Sequence, residues 1–151
     1  MVTLTGTPVY TFASANVGTA IAITTTGFTL GGAQAANYAL TQPTLSANIT
    51  AAPLTVTGLG GATRVYDRTT TATATGTAAL SGVISPDVVT LTGTPVYTFA
   101  SANVGTAIAI TTTGYTLGGA QAANYALTQP DRKSTRLNSS HLARSRMPSS
   151  A

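Results

Sequence analysis

Apolar and polar residues alternate along much of this chain. Leu54-Thr55-Val56-Thr57 sets the pattern, and Thr71, Thr73 and Thr75 continue it with Ala72 and Ala74 between them. Successive side chains of a strand point to opposite faces, so a period of two reads as strand with one face buried. Thr, Val and Ile are β-branched and fit a pleated surface better than a helix. Gly and Pro cut the runs into short pieces. Through residues 53–130 the pattern predicts strands over Leu54–Thr57, Val65–Tyr66 and Thr71–Leu80, then Val88–Thr92, Val96–Phe99, Thr106–Thr112, Tyr115–Leu117 and Asn124–Gln129. Turns are expected at Gly58–Gly61, Asp67–Arg68, Gly82 with Pro86–Asp87, Gly93–Pro95 and Asn103–Gly105. Gly118–Ala123 is expected to form a tight corner or a single helical turn.

The second regularity is far longer. Val2–Pro43 recurs as Val89–Pro130, 87 residues on, with a single difference: Phe28 becomes Tyr115. A repeat of that length exceeds the coil of a solenoid, so each unit is expected to bury its own core. The chain divides into residues 1–52, the C-terminal part of a truncated repeat, and residues 53–130, a nearly complete repeat lacking its last strand. In the first copy that last strand is Leu45–Ile49. Seven or eight short strands with turn signals every 8–12 residues point to an all-β fold of tandem immunoglobulin-like β-sandwich modules. A small β-grasp-like module is the alternative. Tyr125, at the head of a late strand, resembles a tyrosine corner without the usual neighbouring acid. The competing reading makes Tyr38 and Tyr125 ordinary half-buried strand aromatics.

Composition changes the picture mainly at the C-terminus. The net charge is +4. Residues 1–130 hold only Arg64, Arg68, Asp67 and Asp87, which cancel. Arg132, Lys133, Arg136, Arg144 and Arg146 fall in the last 21 residues with Asp131 and the single His141. Residues 131–141 and 145–151 resemble the translation of two constant blocks of a short-read sequencing adapter, with 142–144 covering the index between them. Residues 131–151 are therefore read as a disordered, adapter-derived tail, and their charge is set aside from functional reasoning. The near-neutral body offers no basic stripe for nucleic acid. There is no Cys, hence neither disulfide nor thiol chemistry. No apolar run reaches the length of a membrane helix.

The body contains no His, Lys, Cys or Glu. A nucleophile–base–orienter set cannot be assembled from it, and Asp67 and Asp87 sit in turn contexts. No acidic cluster suits calcium, and nothing calls for a cofactor or metal.

Several blocks in order carry a resemblance: Thr63 to Ala72 with Tyr66-Asp67-Arg68 inside it, Thr75–Gly82, Asp87–Gly93, Phe99–Gly105 and Asn124–Pro130. Together they resemble the YDG-type repeat of bacterial filamentous haemagglutinin-like surface adhesins. The family's Tyr-Asp-Gly is Tyr66, Asp67 and Arg68 here. A Gly at the third place implies a positive-φ turn that Arg tolerates poorly. Tyr66, Asp67, Arg68, Asn124 and Tyr125, with Asn37 and Tyr38 in the first copy, are the structural motif residues that the resemblance marks. It implies a secreted, cell-surface stalk or spacer without catalysis. The partners implied are neighbouring repeats and outer-membrane secretion machinery. Host or cell-surface glycan is the alternative ligand if the module itself binds.

Overall fold

The computed structural model describes residues 1–137 of the chain. They form twelve strands and two short 3₁₀ turns, with no α-helix, so the protein is all-β. A β-grasp needs a helix laid across its sheet, and the described residues hold none. The chain divides into two compact units, Met1–Ala51 and Ala52–Ala151.

The first unit contains β1 (Thr3–Thr5), β2 (Val9–Phe12), β3 (Gly18–Thr26), β4 (Thr29–Gly31) and β5 (Leu45–Ile49), with a 3₁₀ turn at Ala35–Asn37. β1 pairs antiparallel with β4, and β2, β3 and β5 form a three-stranded antiparallel sheet. This unit has almost no interior. Among its described residues only Thr25 is buried, while Leu4, Val9, Tyr10, Phe12, Tyr38 and Leu45 are exposed.

The second unit contains β6 (Ala52–Gly61), β7 (Arg64–Val65), β8 (Ala74–Ser81), β9 (Thr90–Phe99), β10 (Gly105–Gly118), β11 (Tyr125–Thr128) and β12 (Arg132–Leu137), with a 3₁₀ turn at Ala122–Asn124. One sheet runs β7-β12-β10-β9 and the other β11-β6-β8. Both are mixed, since β12 runs parallel to β7 and β11 parallel to β6. Between β7 and β8 the chain lies along β9: Ala72 N–H donates to the Tyr97 carbonyl (3.0 Å) and Phe99 N–H to the Thr70 carbonyl (2.7 Å). That brings Ala72 onto Phe99 and Ile110, the core cluster, with Tyr97 and Ile108 packed against it. Leu54 and Val56 on β6 are buried as well. Their alternation with Thr55 and Thr57 is the two-residue period of the sequence made physical.

Three expectations need correction. The turns assigned to Gly58–Gly61 and Gly93–Pro95 are not turns. β6 continues to Gly61, and β9 and β10 each run unbroken where two strands were expected. The reason lies in paired glycines. Gly93 (φ 99°) on β9 and Gly114 (φ 90°) on β10 stand beside each other. A Cβ on Gly93 would overlap the Gly114 carbonyl oxygen, and one on Gly114 the Thr94 carbonyl oxygen. Two positive-φ residues facing each other form a bulge that bends both strands without ending the ladder. Beyond it the pairing resumes at Gly93↔Tyr115 and continues to Thr92↔Thr116, where the two hydroxyls meet at 2.9 Å. Gly6 and Gly27 face each other in the same way in the first unit, with Thr5 and Thr29 as the hydroxyl pair, but there the ladder is divided into β1–β4 and β2–β3.

The third correction concerns the tail. Arg132–Leu137 are not disordered: they form β12, antiparallel to β10. Residues 138–151, including His141, Arg144 and Arg146, lie outside the described residues. β12 occupies the place that β5 occupies in the first unit. β5 pairs Ile49 with Gly18, Ala47 with Ile21, Ser46 with Ala22 and Leu45 with Ile23. β12 pairs Arg136 with Gly105, Ser134 with Ile108, Lys133 with Ala109 and Arg132 with Ile110. Every pair is displaced by the same 87 residues as the sequence repeat. An edge of unpaired N–H and C=O groups on β10 accepts any extended backbone, whatever its side chains.

Candidate functional site

The Tyr66-Asp67-Arg68 motif forms the turn that leaves β7. Tyr66 is anchored by its backbone, whose N–H donates to the Leu137 carbonyl at 3.0 Å, while its ring is exposed. Asp67 organises the turn. Its Oδ1 accepts from the Thr69 backbone N–H and hydroxyl, both at 3.1 Å, the loop closure an Asx turn provides. Asp67 also pairs with Arg64 three residues earlier and with Arg136 of β12 at 3.1 Å. One carboxylate thus sits between two guanidinium groups.

Arg68 adopts φ 67°. The motif demands the left-handed region there, as the resemblance implied, and Arg enters it at a cost of about 1–2 kcal/mol that Gly would not incur. Arg68→Gly is accordingly expected to raise the stability of the second unit by about 1 kcal/mol. Urea denaturation of the two chains checks this; an unchanged or lowered midpoint would mean that the Arg68 side chain compensates the backbone.

Arg136 was not foreseen as part of the motif. Its side chain is wholly buried. Besides Asp67 it donates to the Thr69 carbonyl at 2.9 Å, and its guanidinium lies 5.0 Å from the Phe99 ring centre. Its Nε finds no partner, and neither does that of Arg132. The signal that could have located it is the 87-residue offset itself, which maps Arg136 onto Ile49.

The second cluster surrounds Tyr125. Its hydroxyl donates to Asp87 Oδ2 at 2.7 Å and accepts from the Ile84 backbone N–H at 3.1 Å. The ring therefore ties the start of β11 to the turn that carries Asp87. The acid missing from the local sequence is supplied from 38 residues upstream. The bond to Asp87 and burial both raise the Tyr125 pKa. Beside it, Gln121 Oε1 accepts from the Val88 N–H at 2.9 Å, and Asn124 N–H donates to the Gln121 carbonyl at 2.9 Å. In the first unit Asn37 Nδ2 donates to Gln34 Oε1 at 2.9 Å. Tyr38, the counterpart of Tyr125, is 64% exposed, because that unit contains no counterpart of Ile84 and Asp87. The structure thus places the marked residues of the second unit in two separate clusters, one at Asp67 and one at Tyr125, and leaves Asn37 and Tyr38 apart in the first unit.

The one difference between the two copies has a structural effect. Tyr115 places its hydroxyl 2.7 Å from that of Tyr97, a contact that Phe28 cannot make with Tyr10. Burial, and then the bond to Tyr115, push the Tyr97 pKa up to about 12. An unfolded Tyr ionises near pH 10, so between pH 10 and 12 the unfolded chain gives up a proton that the native chain keeps. The stabilisation from Tyr97 is complete below pH 10 and is lost as pH rises through 12. The Tyr125 shift acts in the same direction. Tyr115→Phe is expected to cost about 1 kcal/mol at neutral pH and to flatten the alkaline fall, readable from denaturant melts at pH 9 and pH 11. An alkaline slope identical in both chains would show that burial alone, and not the bond to Tyr115, links the Tyr97 hydroxyl to folding.

Chemically these clusters bind the chain to itself. Asp67 and Asp87 are each committed to internal partners. Among the described residues no three His, Cys, Asp or Glu side chains come together to hold a metal, and no helix is long and apolar enough to cross a membrane.

A repeat-built all-β module, tied together through a Tyr-Asp-Arg turn and a tyrosine–aspartate bond, is the class these observations define. The chain belongs to the YDG domain family, whose model matches residues 1–45 and 50–133. Neither a curated protein nor a solved structure matches it.

Proposed function

We propose that this chain is a stretch of a tandem array of YDG units that serves as a non-catalytic spacer in a large secreted adhesin of the filamentous haemagglutinin-like kind. On this reading it lies outside the bacterial cell, and residues 1–52 and 53–130 are pieces of successive repeats arranged as small sandwiches. The observation that carries the reading is the economy of the polar groups. The carboxylates of the body and the hydroxyls of Tyr97, Tyr115 and Tyr125 are all used in bonds within the unit. A copy 41 positions in 42 identical then adds length without adding a distinct site. Absence of Cys suits export as an unfolded chain, since no disulfide could form beforehand. A strand of 6–10 residues spans roughly 20–35 Å, which sets the reach that each unit would add.

Recognition of glycan by the module itself is the second reading. It is favoured by the exposed rings of Tyr10 and Tyr66, because aromatic faces stack on sugar rings. A glycan array and a scattering series decide between them. As a spacer, chains of two, four and six 87-residue units should lengthen in proportion to their number and bind no glycan. Saturable micromolar binding that disappears in Tyr66→Ala or Tyr10→Ala would overturn the spacer reading.

A further inference from the structure

We propose that the edge of β10 from Gly105 to Ile110 is a strand-acceptor site, and that its proper occupant is Leu45–Ile49 donated by a second copy of this chain. The resident β12 is a poor tenant. Its inward positions are Arg132, Ser134 and Arg136, where β5 presents Leu45, Ala47 and Ile49. Arg136 is buried against Phe99 and leaves its Nε without a partner, as does Arg132. Beside the start of β12 an open cleft of about 460 Å³ is lined by Ala109, Ile110, Thr111, Asp131, Arg132 and Lys133, at the position the repeat assigns to Leu45. An apolar strand would fill the interior that two guanidinium groups fill badly.

The register of the donated strand is specified by a side chain. β3 and β10 each bulge at the same place, with Ala20 at φ 50° and Ala107 at φ 52°. In the first unit Asn48 Oδ1 accepts the Ala20 N–H at 2.8 Å. Ala107 offers the same N–H in the same conformation, and β12 has Thr135 where Asn48 belongs. A donated Leu45–Ile49 therefore meets on β10 the partner it has on β3.

The donor is available because its own unit holds it weakly. No apolar side chain of the first unit is buried among the described residues, and Leu45 remains 45% exposed on β5. Releasing β5 forfeits little core, and seating it in the second unit of another copy covers Leu45 and Ile49. Since donor and acceptor are different surfaces, the contact is head-to-tail and propagates into open chains of molecules.

The absence of Cys makes a clean test. Ser46 should face Ala109, as it faces Ala22 in the first unit. Full-length Ser46→Cys and full-length Ala109→Cys chains are mixed under mild oxidation. The expected result is a mixed disulfide forming at least tenfold faster than between Ser46→Cys and the exposed control Thr77→Cys. A free peptide of residues 44–51 should suppress it, and the same peptide carrying Ile49→Arg should not. Introducing Arg136→Ile into the Ala109→Cys chain should slow the reaction severalfold, because the resident strand then fits. Equal rates at 109 and 77, or suppression by both peptides alike, would overturn the proposal.

Discussion

Replacing Arg132, Ser134 and Arg136 with Leu, Ala and Ile is expected to stabilise the second unit by about 2 kcal/mol. For a domain near 100 residues that corresponds to a rise in Tm of roughly 10 °C. The substitution restores the inward face of β5 on a strand whose backbone already lies in the β5 register. Several bonds are lost: Arg136 to Thr69 and Asp67, Arg132 to the Val56 carbonyl, and Ser134 to the Gly61 and Ala62 carbonyls. The Ser134 bonds are worth about 1 kcal/mol each net and the guanidinium bonds about 1.5–3, because water competes for the same groups in the unfolded chain. Asp67 keeps Arg64 and the Thr69 contacts, so its carboxylate is not stranded. Against these losses stand two desolvated guanidinium groups with unpartnered Nε atoms, removed at a stroke, and two apolar side chains buried beside Phe99 and Ile110. Calorimetry on the two full-length chains decides the sign. A lower Tm in the substituted chain would mean that Arg136 bridging Asp67 and Phe99 outweighs an apolar filling, and that the slot is not built for Leu and Ile.

Much of this architecture is legible in the residues. The alternation at Leu54–Thr57 places Leu54 and Val56 inward, where they are buried. The Asp67 turn is legible because Asp closes loops through its own carboxylate, and the positive φ of Arg68 follows from the Gly that the motif normally carries there. What stays hidden depends on partners distant along the chain. Nothing near Tyr125 announces Asp87, since the bond spans 38 residues and exists only once β11 and the Pro86 turn are placed. Arg132–Leu137 read as tail because their order of residues resembles a translated adapter, yet strand pairing is a property of the backbone, and β10 offered an unpaired edge. Glycine was the most misleading signal. Gly93 taken alone reads as a turn and Gly114 as a break between two strands, and only their juxtaposition across β9 and β10 makes them a bulge.

That juxtaposition leaves no room for a side chain at Gly93, and Gly93→Ala is expected to cost about 3 kcal/mol. Two penalties add. At φ 99° an L-residue is strained by its own backbone, and the new Cβ would overlap the carbonyl oxygen of Gly114, which belongs to the ladder and cannot swing aside like a side-chain tip. Relief requires β9 and β10 to separate locally, which breaks the pairs from Gly93↔Tyr115 to Thr90↔Gly118 and parts the Thr92 and Thr116 hydroxyls. The pairs on the other side, Val96↔Thr113 to Phe99↔Ile110, lie next to the core and should survive. Hydrogen exchange should therefore lose protection at Thr90–Thr92 and Thr116–Gly118 well before Tyr97–Phe99. Gly114→Ala should behave alike, and the double substitution should cost less than the sum, because a ladder already opened by the first Cβ has room for the second. Full additivity would mean that the two glycines act independently. A Gly93→Ala chain that melts with the parent and keeps its distal protection would show that Gly93 and Gly114 do not approach each other as closely as the bulge requires.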